Sequence, residues 1–302
     1  MNKIMRACVV ILILLTVMFA LLFEPRATRA WGEAGHKLSG RAAATDLPKE
    51  MPKFFRKETA RLEYLNPEPD RWRSRALVEM NEAFSYDHFV DMEMVPAAAF
   101  DAEDRYAYLV AVYQGGVQKP ETAGLLHFHI VELYQRLRTE FNLWRKAKDK
   151  KTREWIEERI INDAGTLGHY VSDGANPHHT TIHYNGWDKN TPNPNNYTTD
   201  NTFHRRFESD FVQARVNIND VLPRINKTPR TLDNPRVEVL KFLRDSNSQV
   251  TRLYEIEKRN TYNDKTTAPE NKEFAVERLV AGVQMLRDLW WTAWIKSSEE
   301  LK

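Results

Sequence analysis

Five residues between positions 169 and 208 bring nitrogen and carboxylate donors together at helical spacing: His169, Asp173, His179, His204 and Glu208. His169 with Asp173, and His204 with Glu208, stand four residues apart, so on an α-helix each pair projects from one face and can converge on a cation. Imidazole nitrogen combined with carboxylate oxygen suits zinc, whereas an all-oxygen set suits calcium or magnesium. The pattern predicts a zinc site.

The chain has nine histidines, at 36, 88, 127, 129, 169, 178, 179, 183 and 204. Taken singly, each is more often a structural residue than a ligand. Two His-x-x-x-carboxylate pairs with His179 between them are harder to assign to packing. His127 and His129 fall in a stretch whose apolar pattern is complete without them, and we read them as structural.

The elements that must carry these residues are helical. Apolar residues recur at three-and-four spacing over residues 36–47, 121–147, 151–171, 200–216, 236–258 and 272–297, and alternating segments are few. The class predicted is all-α, a single multi-helix domain. In the last stretch Phe274, Leu279, Val283, Met285, Leu286, Leu289, Trp290 and Trp294 form a core stripe. Residues 185–201, rich in Asn, Thr and Pro, form a long loop between the two ligand-bearing helices, expected to overhang the site. A second break falls at residues 114–120.

Lys3 and Arg6 precede an apolar run over residues 7–23, and Thr28-x-Ala30 supplies the small residues of a cleavage point. Residues 1–30 read as a secretory signal peptide, and residues 31–302 as the mature catalytic domain. An uncleaved anchor is the alternative, because the run sits at the short end of what spans a bilayer. Cleavage after Ala30 exposes Trp31 and predicts a secreted or periplasmic protein. It removes four of the 44 basic and one of the 42 acidic residues, so the formal charge falls from +2 to about −1. No duplex-DNA footprint is expected at that charge, although single strands remain open as substrate. Cys8, the single cysteine, leaves with the leader, so stability must come from the core and the metal.

The run HYVSDGANPHH at residues 169–179, followed by HRRFE at 204–208, resembles the core of the bacterial zinc-dependent phospholipase C family, whose relatives include the single-strand-specific zinc nucleases of fungi and plants. WGEAGH, from Trp31 to His36, resembles the N-terminal tryptophan that cleavage uncovers in that family, and RLVAGVQMLRDLWW its closing helix. The resemblance implies an all-helical exported enzyme with three zinc ions.

Carried over residue by residue, it implies that Trp31 (amine and carbonyl), His36 and Asp173 hold one zinc, with Asp173 bridging to a second. Asp70 in NPEPDRW, His88 in SYDHFVD and His169 hold that second ion, and His179, His204 and Glu208 the third. His178 is the alternative to His179, and His183 is a candidate orienting neighbour. Asp70 is also the candidate general base. The reaction implied is phosphodiester cleavage by a zinc-activated water.

The short Trp31-to-His36 spacing is that of the nucleases, whereas the Glu208 ligand is closer to the phospholipases. Phospholipid is the leading substrate, single-stranded nucleic acid the runner-up, and no stable protein partner is expected. Phe84, Tyr86, Tyr184, Trp187 and Tyr197 could stack a base or choline, though packing is the commoner role. A third reading is a non-catalytic protein in which zinc staples a helical bundle. Structural zinc takes four protein ligands, whereas the third set supplies three side chains and leaves a position open.

Overall fold

Helix α7, Lys150–Ala175, is the axis around which the other elements pack, and every residue on it from Asp163 to Ala175 is buried. A helix covered on all sides must be apolar or internally satisfied all round, and this one becomes so only in its second half, where His169 and Asp173 lie. The computed structural model describes residues 31–74 and 76–300, and the predicted signal segment, residues 1–30, lies outside them.

The described residues begin with α1 (Gly32–Ala44); after a single turn at Lys53–Arg56 come α2 (Thr59–Leu65), α3 (Glu68–Trp72), α4 (Val78–Phe84) and α5 (Arg105–Gln114). Two long helices follow, α6 (Leu126–Lys146) and α7, and then α8 (Pro235–Ser248), α9 (Val250–Arg259) and α10 (Pro269–Lys296). Among the described residues the regular elements are helical, and an isolated bridge pairs Tyr184 with Gly186. The all-α reading is correct. No helix among the described residues is long and apolar enough to cross a membrane.

Helices α1, α2, α6 and α10 surround α7. On α10, Phe274, Leu279, Val283, Met285, Leu286, Leu289 and Trp290 are buried as the stripe predicts, while Trp294 is half-buried with Arg145 stacked over its ring. Arg287 is buried too. Its guanidinium donates to the carbonyls of Ala43, Thr45, Asp46 and Lys227, which ties α10 to the end of α1. A buried cation whose two terminal nitrogens are held by four carbonyls fixes geometry that apolar packing alone leaves free.

Two expected helices have different forms. The stretch 236–258 is two helices that meet at Gln249. Ser248 Oγ at the junction bonds locally, donating to Asp245 O at 2.6 Å, and Asn247 Nδ2 ties it to the segment before the loop by donating to Thr180 O at 2.7 Å. The stretch 200–216 is an α-turn, Phe203–Arg205, a π-helix, Arg206–Phe211, and a further α-turn, Val212–Arg215. The widened π turn abuts α1, where Ser209 Oγ lies 2.8 Å from the position a Cβ on Gly32 would take.

Candidate metal centre

The C-terminal third of α7, the start of α1, the α2–α3 junction, the turn before Phe89 and the π segment converge on one buried patch. Three ligand groups result, each with donor atoms within 4.8 Å of one another: His36, Asp70 and His169; His88, His169 and Asp173; His179, His204 and Glu208. All eight side chains are those the sequence singles out. These buried His, Asp and Glu groups could hold a metal ion.

The partition differs from the one the resemblance implies. Asp173 groups with His88 and His169, and Asp70 groups with His36. His169 is the shared member: its Nε2 lies 3.0 Å from His88 Nδ1, 3.3 Å from Asp173 Oδ2 and 4.0 Å from Asp70 Oδ1. Asp173 connects the whole patch, at 3.4 Å from His36, 3.0 Å from His88 and 3.9 Å from His179. In the third group His204 Nε2 is 2.8 Å from Glu208 Oε2 and 3.2 Å from His179 Nε2.

Trp31 closes this end. It is fully buried, its backbone N–H donates to Glu208 Oε2 at 2.8 Å, and its indole N–H donates to Ser172 O at 2.5 Å. The nitrogen that would become an amine on cleavage after Ala30 therefore points at the third group.

Hydrogen bonds on the far side of the rings fix the tautomers. Nδ1 of His169 donates to Asn66 O at 2.9 Å, Nδ1 of His36 to Asn66 Oδ1 at 3.0 Å, and Nδ1 of His179 to His88 O at 2.7 Å. Each leaves Nε2 as the donor facing the patch, the arrangement that metal-ligating histidines commonly have. Asn176 Nδ2 likewise reaches Glu208 Oε2 at 3.3 Å. Sequence reading missed Asn66 and Asn176. Asn66 stands in the quoted NPEPDRW motif, but nothing in its type or spacing marks it as an orienter.

The chemistry of the patch fits a cation. His36 Nε2, Asp70 Oδ2, His88 Nε2, Asp173 Oδ1 and Glu208 Oε1 are buried and make no hydrogen bond. Such atoms cost stability unless something satisfies them, and a divalent cation does so for both nitrogen and carboxylate donors. Burial opposes ionisation of Asp173, yet His169, His179 and His36 hold its carboxyl well below the usual range. Burial pushes Glu208 up to about 7 against the pull of His179. Burial lowers His88 well below its usual value, helped by Arg73, and takes His204 down to about 3, so both stay in the neutral ligand form.

The neighbouring histidines have other roles. His178 is buried among Phe203, Phe207 and Tyr254 with neither ring nitrogen bonded, and it stands outside the three groups, which contain His179. His183 does not orient a ligand. Its Nδ1 accepts the Asp188 N–H at 3.0 Å and its ring stacks on Trp187 at 3.7 Å, so it organises the 185–201 loop. That loop is tied to α9, with Tyr197 bonded to Glu255, Lys258 to Asn195 O, and Trp187 against Tyr254. Its far end, Asp200, also pairs with Arg206 on the π segment that carries Glu208, at 3.1 Å. Of the remaining aromatics, Phe84 packs on Trp72 and Tyr86 on Phe89.

Comparison with family models, with curated proteins and with solved structures finds no match.

Proposed function

We propose that the chain is an exported zinc-dependent phosphodiester hydrolase of the phospholipase C type, with three zinc ions held by Trp31, His36, Asp70, His88, His169, Asp173, His179, His204 and Glu208. The observation that carries the reading is one patch of three His-carboxylate groups, two of which share His169, while Asp173, 3.9 Å from His179, lies beside the third. Separate structural sites would not need a shared histidine and a linking carboxylate.

Bound zinc would supply a Lewis acid for phosphoryl oxygens and acidify the attacking water at neutral pH. The chain's own residues prepare for that. Asn66 and the His88 carbonyl hold three imidazoles with Nε2 inward. Asp70 has one oxygen near Arg73, at 3.6 Å, and the other buried without a hydrogen bond, so with one oxygen on a zinc ion the other would remain as acceptor for a proton from the nucleophile. Burial of the patch removes competing water and strengthens each charge interaction within it.

The test is a parallel assay of the chain starting at Trp31 and loaded with zinc. It scores head-group release from phosphatidylcholine against acid-soluble nucleotides from single-stranded DNA. Head-group release supports the reading, and nucleotide release alone moves the protein to the nuclease alternative. Silence in both overturns phosphodiester hydrolysis and leaves the metals a structural role.

A further inference from the structure

We infer that the corner where α6 meets α7 docks on a bilayer that carries anionic phospholipid. Residues 145–153 hold six basic side chains against one acidic, Asp149, although the mature chain has a formal charge of about −1. Extending the count to residue 159 gives seven basic side chains against four acidic.

Local carboxylates leave part of that charge unbalanced. Asp149 is committed to capping α7, where it accepts the Thr152 N–H at 2.8 Å. Glu154 lies 3.7 Å from Lys150 and 3.6 Å from Lys151, and Glu157 accepts the Trp144 indole N–H. Arg159 is 4.0 Å from Glu140. Arg145, Lys146, Lys148 and Arg153 have no ion-pair partner among the described residues.

Apolar surface is open beside this charge. Trp155 is 55 % exposed, whereas every other tryptophan is buried or half-buried, and Leu143 is 43 % exposed. Both line a groove of about 520 Å³, with Ala147 and Ile156 as further apolar wall and Lys146 and Arg159 beside them. Lys151 Nζ stands 5.5 Å from the centre of a Trp155 ring.

Cations around an exposed indole and an aliphatic side chain match a bilayer interface, where anionic head groups meet the cations and tryptophan sits at head-group depth. A nucleic-acid strand fits less well, because it needs successive stacking surfaces and this corner exposes one indole. Trp155 stands about 21 Å along α7 from His169, at 1.5 Å per residue. Docking here therefore holds the protein at a surface without involving the ligand patch, and it does not depend on the reaction proposed there.

The test is flotation, on ice, of the mature zinc-loaded protein with vesicles of phosphatidylcholine alone or with about one-third phosphatidylglycerol. The protein floats with the anionic vesicles only, and about 0.5 M sodium chloride releases it. Lys146→Glu combined with Lys148→Glu weakens binding by about tenfold or more, and Trp155→Ala by about threefold or more, with both variants folded by circular dichroism. The readout is binding, so silence in the phosphodiesterase assay leaves the proposal standing. No flotation with anionic vesicles, equal flotation with neutral ones, or undiminished binding in either folded variant overturns it. Binding of a single-stranded oligonucleotide that the charge variant loses, by a protein that ignores vesicles, gives the corner to nucleic acid instead.

Discussion

The carbonyl oxygen of Asn66 accepts the Nδ1 hydrogen of His169 at 2.9 Å, across 103 positions of sequence. The same residue's side chain accepts from His36 Nδ1 at 3.0 Å, so one asparagine orients two ligand rings. Its place depends on Gly168, where a Cβ would stand 2.4 Å from Asn66 Nδ2. Gly168→Ala should displace Asn66 and lower zinc affinity by about 10- to 100-fold, the usual effect of losing an orienting partner, although no donor is touched. Competition with a zinc-chelating dye measures it. Unchanged affinity would show that Asn66 does not orient the rings.

Asp173 is fully buried and lies within 4 Å of four histidines of the patch, namely His36, His88, His169 and His179. Asp173→Asn keeps its shape and removes its charge. Phosphodiesterase kcat/KM should fall by more than about 100-fold, beyond what loss of an orienting partner costs. Bound zinc, counted by atomic emission on the folded variant, should drop by more than one ion per chain. Near-normal activity and zinc content would rule out Asp173 as the link between groups.

The Trp31 nitrogen lies 2.8 Å from Glu208 Oε2. A chain that begins at Trp31 presents a free amine there, and a chain with one extra residue presents an amide, which is a poor zinc donor. The extended form should bind less zinc and hydrolyse phosphodiesters more slowly than the form starting at Trp31, with both forms folded by circular dichroism. Equal zinc content in the two would remove Trp31 from the ligand set.

Away from the candidate metal patch, Glu140 on α6 faces Asp163 on α7. Burial, then Asp163, pushes Glu140 up to about 8, against Arg159 and Arg136. Arg136 pairs with Asp163 at 2.8 Å. A carboxyl whose folded value is raised contributes stability that is complete below its ordinary value of 4.5 and lost as pH rises through about 8. The melting temperature should therefore decline across that window, and Glu140→Gln should flatten the decline. The same slope in both proteins would contradict the raised Glu140 carboxyl.

What the sequence made legible was local. His169 and Asp173 lie on one helix that continues through Ala175, and the α10 stripe from Phe274 to Trp290 is core, because a long amphipathic period survives any tertiary arrangement. The His204–Glu208 pair also meets at 2.8 Å, although the segment passes from an α-turn at His204 into a π turn at Glu208, a widening the four-residue spacing does not announce. Asn66 was illegible for the opposite reason: its role arises from α2 packing against α7. The short helices α2, α3 and α4 carry seven, five and seven residues, too few for a periodic signal. The 185–201 loop was recognised as a loop, but its anchoring on α9 through Tyr197 and Trp187 has no sequence signature.

The most direct measurement is a zinc titration of metal-free mature protein, with hydrolysis of a chromogenic phosphodiester as readout. Activity should be absent at the start, rise with zinc, and level off near three equivalents, the number the proposed ligand set would hold, while calcium and magnesium leave it silent. No hydrolysis at any zinc concentration, or full hydrolysis in excess chelator, would contradict the assignment of the patch as a zinc phosphodiesterase centre.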